Sequence, residues 1–121
     1  MAYKPTNFPN GIKGPLVTGV STATATAGAA TLNALVGTVT TEALTTAQDA
    51  TYTLTITDAL AEAGDVVMTS IANGTNTAGL PIVTRATVSA GSIVILVTNK
   101  ISTATALNGT LAISFVLFKA Q

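Results

Sequence analysis

Apolar and polar residues alternate with a period of two along most of the chain from Leu16 onward. The clearest run is Ala50–Thr57, where Tyr52, Leu54 and Ile56 fall on one side and Thr51, Thr53, Thr55 and Thr57 on the other. That spacing predicts a strand with one buried face. Ile93–Val97 is apolar at every position, which predicts a central strand covered on both faces. Leu111, Ile113, Phe115 and Leu117 alternate with Ala112, Ser114, Val116 and Phe118, so the last strand should feed the core. Turn signals divide the chain into eight predicted strands, at about 16–20, 29–35, 37–44, 50–58, 65–72, 82–89, 92–99 and 109–118.

The connections are legible as well. Ser89-Ala90-Gly91-Ser92 predicts a tight hairpin, and Asn73–Pro81 a longer loop. Asp58–Asp65 is long enough for one helical turn and too short for a stable helix. The Thr/Ala stretch 22–30 permits a strand but buries little, and reads as linker or edge. Residues 1–15 break the pattern. They hold Pro5, Pro9 and Pro15, which favour an extended course, together with Tyr3, Phe8 and Ile12. An arm carrying such anchors is expected to lie on a surface, its own or a neighbour's. The fold expected is therefore all-β: an extended arm over 1–15, then a single jelly-roll-like β-sandwich over 16–121. An immunoglobulin-like sandwich is the alternative, although its Cys and Trp markers are missing.

Composition narrows the function classes. Five basic residues balance five acidic ones, so no basic face is available for nucleic acid. The absence of His and Cys removes the commonest general base and metal ligand, along with thiolate chemistry. No enzyme, cofactor or metal site is expected. Charged residues make up 8% of the chain, against about 25% in ordinary soluble domains. Thr (24) and Ala (21) dominate instead. An exterior so poor in charge resists association badly, which points to burial against other subunits. The first residues do not read as a secretory signal. The longest apolar runs fall far short of the about 20 residues of a membrane helix, so synthesis in the cytoplasm and no membrane partner are expected.

The individual motifs are weak. Asp58, Glu62 and Asp65 lie close in sequence but lack the alternating spacing of a calcium loop. Lys100 and Ser102 share a strand face, with no further group to make a catalytic dyad. Gly74 and Gly79 have phosphate-loop spacing, but Leu80-Pro81 follows where Lys and a hydroxyl residue belong. Asn73-Gly74-Thr75 and Asn108-Gly109-Thr110 read as turns. A Lys–Asn isopeptide would draw on Lys100 or Lys119, Asn33 or Asn99, and Glu42 as the acid. Arg85, the only Arg, sits in a predicted strand and is a candidate for an inter-subunit ion pair with Glu42 or an Asp.

Three stretches carry a family resemblance: TLNALVGTVTTEALTTAQDATYTLTITD, SIANGTNTAGLPIVTRATVSAGSIVILVTN and ALNGTLAISFVL. Over roughly residues 29–118 the chain resembles the small virion structural proteins of tailed bacteriophages, and in particular their capsid decoration (cement) proteins. The resemblance implies a non-enzymatic, β-rich homotrimer on the capsid exterior. Such a protein sits at three-fold and quasi-three-fold points and clamps neighbouring major capsid subunits against internal DNA pressure. No active site is implied. Tyr3, Phe8 and Ile12 are then the arm residues expected to contact the capsid or a neighbouring protomer. The alternative is a tail-fibre or adhesin-type module that binds a host glycan or surface protein. The scarcity of aromatic residues counts against it.

Overall fold

Thr- and Val-rich strands with one apolar edge need a second layer to cover that edge. In the computed structural model, which describes residues 19–120, two four-stranded sheets supply it. The strands are β1 (Ser21–Thr24), β2 (Ala29–Thr31), β3 (Val36–Thr40), β4 (Thr51–Thr57), β5 (Val66–Asn73), β6 (Pro81–Ser89), β7 (Ser92–Asn99) and β8 (Leu111–Phe118). One sheet has the order β1-β3-β8-β5 and the other β2-β4-β7-β6. There is no helix among the described residues. The fold is an all-β sandwich. Its eight strands in two four-stranded layers are those expected of the sandwich. The two N-terminal edge pairs are parallel, β1 to β3 and β2 to β4, where a jelly roll is antiparallel throughout.

The core is built from the inward positions that the alternation marks. Leu54 and Ile56 on β4, Ile93, Ile95 and Val97 on β7, and Leu111, Ile113, Phe115 and Leu117 on β8 are all fully buried. Val39, Leu107 and Leu44 complete the centre, and Tyr52, Val67, Ile71, Val83 and Val88 pack around it. Gly37 interrupts β3 for a steric reason. A Cβ there would lie 2.5 Å from Leu32 Cδ2 and 3.0 Å from Phe115 Cε1. The strand gives up a side chain so that the Phe115 ring can fill the space.

Several boundaries differ from the sequence expectation. The strand expected at 16–20 is absent at Gly19 and Val20, and its remaining positions lie outside the described residues. The first strand is instead Ser21–Thr24, in the Thr/Ala stretch read as linker or edge. Its backbone bonds to β3 and the inward Ala23 suffice for an edge position. The strand expected at 29–35 ends at Thr31. Asp58–Asp65 forms two successive turns, closed by Ala61 N–H to Asp58 O and Asp65 N–H to Glu62 O, and no helical turn. β7 is central, but its outer residues Val94 and Leu96 are only half-buried among neighbouring side chains. Ser89 and Ser92 pair across the expected hairpin, where Gly91 takes a φ of 78° that costs glycine nothing.

Candidate functional site

Outward positions follow from the same alternation, and strand order turns them into surfaces. On the β1-β3-β8-β5 sheet the outward residues line up in rows across the strands. Val36, Val116 and Met68 are register partners, and Val20 joins them at the β1 edge. One level along, Thr22, Thr38, Ser114 and Ser70 form a row of hydroxyls. Beyond that come Thr24, Thr40, Ala112 and Ala72, and at the opposite end Phe118 faces Val66. Among the described residues, no charged side chain stands on this face. Val66 and Met68 are 60% and 63% exposed, and Val20 and Phe118 are also open to solvent.

The two middle rows enclose a shallow groove of about 290 Å³, with Val20, Val36, Val116 and Met68 along one side and Thr38, Ser114 and Ser70 along the other. It forms because small hydroxyl residues follow a row of larger apolar ones. Thr38 and Ser114 hydrogen-bond to each other at 2.8 Å, so part of the groove's polarity is satisfied within the sheet. An isolated apolar side chain on a surface is ordinary. A contiguous, uncharged and largely apolar sheet face marks a contact surface.

The charged side chains sit elsewhere, mostly in turns. Lys119 bonds to the Asp65 carboxylate and to Leu60 O, with Glu62 3.3 Å away. The Ala120 N–H, the Lys119 ammonium and the Glu62 N–H together hold the Asp65 carboxyl below the usual carboxylate range. Asp65 in turn raises the Lys119 pKa. Lys100 pairs with Asp49 at 2.9 Å on the surface, a contact worth about 0–1 kcal/mol.

Glu42 is committed within the chain. Its Oε1 accepts the Gly28 N–H at 2.8 Å and its Oε2 accepts the Tyr52 hydroxyl at 2.9 Å. Arg85 lies on the outer side of the other sheet, at a bulge between Val83 and Arg85 on β6, and is exposed. It makes no ion pair among the described residues. Tyr3, Phe8 and Ile12, the expected arm contacts, lie outside the described residues.

The weaker chemical candidates come apart. Asp58 is fully buried, with Oδ1 accepting the Leu60 N–H at 3.0 Å and Oδ2 unpartnered among the described residues. Asp65 is held by Lys119, and no group of three or more acidic residues that could hold a metal forms among the described residues. The isopeptide set is scattered too. Lys100 and Lys119 pair with Asp49 and Asp65, while Asn33 Oδ1 accepts the Ala59 N–H. The Asn99 amide is occupied by four backbone groups. No described helix is long and apolar enough to cross a membrane.

Burial, reinforced by the Glu42 carboxylate to which it donates, pushes the Tyr52 phenol well above its ordinary pKa of about 10. The protonated form is thus favoured by folding. Tyr52 contributes its full stabilisation below about pH 10 and loses it as pH rises toward the folded-state value. In a Tyr3→Phe protein, Tyr52 is the sole remaining Tyr. Its phenolate absorbance at 295 nm should not rise around pH 10 and should appear together with unfolding seen by circular dichroism. Ordinary titration near pH 10 in the folded protein would contradict this burial.

No family model, curated protein or solved structure matches the chain.

Proposed function

We propose that the chain is a non-enzymatic structural protein of a tailed-phage virion. In this reading it decorates the capsid exterior as a homotrimer and clamps neighbouring major capsid subunits. The observation that carries the reading is the uncharged outer face of the β1-β3-β8-β5 sheet, left open beside a groove of about 290 Å³. That is the kind of surface a protein keeps when siblings or a lattice cover it. The resemblance over residues 29–118 supplies the setting. A contact of about 800 Å² per partner, at about 25 cal/mol per Å², gives on the order of 20 kcal/mol before association costs are deducted. Repetition over many lattice points raises the effective strength further. Arg85, exposed and without an ionic partner among the described residues, fits an inter-subunit ion pair to an acidic side chain; Glu42 would take that part only in addition to the Gly28 N–H and the Tyr52 hydroxyl it already accepts.

The test is direct. Purified protein is mixed with heads of the encoding phage that lack it, and occupancy is read by electron microscopy. Saturable decoration at the three-fold points is expected. Deleting residues 1–14 should leave the circular dichroism spectrum unchanged and lower occupancy at least tenfold, since Tyr3, Phe8 and Ile12 go with them. Unchanged occupancy removes the arm from the interface. Binding to intact host cells with none to heads would favour the adhesin reading and overturn the proposal.

A further inference from the structure

A sheet edge presents a row of backbone groups that can pair with another chain, and proteins guard such edges with short strands, Pro, bulges or charge. The two sheets end on β1 and β5 and on β2 and β6. Three of these edges are guarded. β1 and β2 have only four and three residues. β6 opens on Pro81, bulges between Val83 and Arg85, and carries the Arg85 guanidinium. β5 has none of these devices. It is eight residues long, with no Pro and no charged residue, and its register with β8 is unbroken. Val66 and Met68 stand exposed on its outer side. Val67 and Ile71 on its inner side are only part-buried, where the inward residues of β8 are fully buried.

Register decides which backbone groups of β5 are free. Thr41 N–H bonds to Leu111 O and Leu117 N–H to Leu35 O, so the odd-numbered residues of β8 exchange hydrogen bonds with the β3 side. The even-numbered ones turn to β5, where they meet Val66, Met68, Ser70 and Ala72. The N–H and C=O groups of Val67, Thr69 and Ile71 therefore point away from the sheet, and among the described residues no strand pairs with them. These three residues are symmetric about Thr69. An antiparallel second β5, related by a two-fold axis at Thr69, satisfies all of them at once: Thr69 pairs with the partner's Thr69, and Val67 with the partner's Ile71. The same register matches the side chains. Val67 and the partner's Ile71 cover one another on the inner side, while Met68 meets the partner's Ser70 and Val66 the partner's Ala72 on the outer side. A foreign strand would have to bring a matching pattern, and a second copy already has it.

We infer that β5 pairs with β5 of a second copy, antiparallel and centred on Thr69, so that two β1-β3-β8-β5 sheets become one sheet of eight strands. The contact uses the same patch on both copies and closes on two. It goes beyond the three-fold clamp of the proposed function, since it joins a protomer of one trimer to a protomer of the next and needs no capsid. It also sets the two grooves side by side across the axis, because Met68 and Ser70 line each of them.

Two measurements on the full chain test it. The chain has no Cys, so Thr69→Cys introduces a single thiol. Opposed Cα atoms in a hydrogen-bonded antiparallel pair lie about 5.5 Å apart, within disulfide reach. Mild oxidation should convert most of this variant to a two-chain species on non-reducing electrophoresis, and should leave Thr87→Cys, exposed on β6, as single chains. Light scattering then compares the parent with Thr69→Pro, which removes only a donor that β8 does not use, and with Thr69→Lys, which sets two ammonium groups opposite each other. Whichever of these keeps the parent's circular dichroism spectrum should have half the parent's mass at equal concentration. Equal masses overturn the inference, as does a parent of single-chain mass or a Thr69→Cys protein that links no better than Thr87→Cys. The outcome is separable from the proposed homotrimer. A fall from six chains to three keeps both, and a fall from two chains to one keeps this inference without the trimer. A three-chain parent that neither links at position 69 nor halves in mass does the reverse.

Discussion

Asn99→Leu should lower the unfolding free energy by about 4 kcal/mol or more, read from denaturant melts against the parent protein. Asn99 ends β7 and is fully buried. Its Oδ1 accepts the N–H of Leu80 at 2.9 Å and of Ile101 at 3.3 Å. Its Nδ2 donates to the carbonyls of Thr46 at 3.0 Å and Thr105 at 2.8 Å. One carboxamide therefore ties together the segment before β4, the entry to β6 and the chain after β7. Leu has similar volume and can make none of these bonds. Each buried backbone group left unpartnered costs about 1–3 kcal/mol, and total stability is typically about 5–15 kcal/mol. Asn99→Asp is the informative companion. It keeps the two acceptor contacts, loses both donors and buries a charge, so it should also be severely destabilised at neutral pH and partly recover in acid. A loss below 1 kcal/mol for Asn99→Leu would mean that the three segments are held by other contacts.

Phe115→Ala should cost about 3–5 kcal/mol through the cavity it opens. Phe115 is the largest fully buried side chain, lying mid-strand in β8 against the glycine gap in β3. That gap gives the prediction a second arm. Gly37→Ala alone should destabilise, because the new methyl meets Leu32 and Phe115. Combined with Phe115→Leu, which frees part of the ring's space, it should cost less than the two single changes added together. A double-mutant cycle on urea midpoints measures the difference. Strict additivity would show that the ring and the gap are independent.

The strand pattern made most of the core readable in advance. Leu54 and Ile56 and the Leu111–Leu117 alternation point inward as their spacing predicts, whereas in the Ile93–Val97 run only Ile93, Ile95 and Val97 are buried and the expected cover on both faces is incomplete. β1 was harder, because Thr–Ala alternation carries little hydrophobic contrast and the strand is held chiefly by its backbone pairing to β3. The parallel sense of both edge pairs was not legible, since strand direction leaves no mark on a period-two pattern. Asn99 shows a different gap. In the sequence Asn99 stood out only as an isopeptide candidate, and only the fold brings Thr46, Leu80, Ile101 and Thr105 within its reach. The candidate contact face lay between these cases. Val116 and Phe118 could be assigned outward positions from the alternation of the last strand, whereas Thr22 and Thr24 lay in a stretch that read as linker or edge. That Val36, Val116 and Met68 make one continuous row became visible only with the order β3-β8-β5.

The parallel pairing of β1 with β3 has a practical corollary for anyone attaching cargo to this protein. β8 runs antiparallel to β3, so the incoming chain at Gly19 and the outgoing chain at Ala120 leave the sandwich from the same end. The Asn73–Pro81 loop lies at the other end, where Asn73 pairs with Leu111 at the start of β8. A fluorescent tag or antigen fused after Ala120 would be displayed at the pole where Gly19 leads into β1, leaving the opposite pole with the Asn73–Pro81 loop clear.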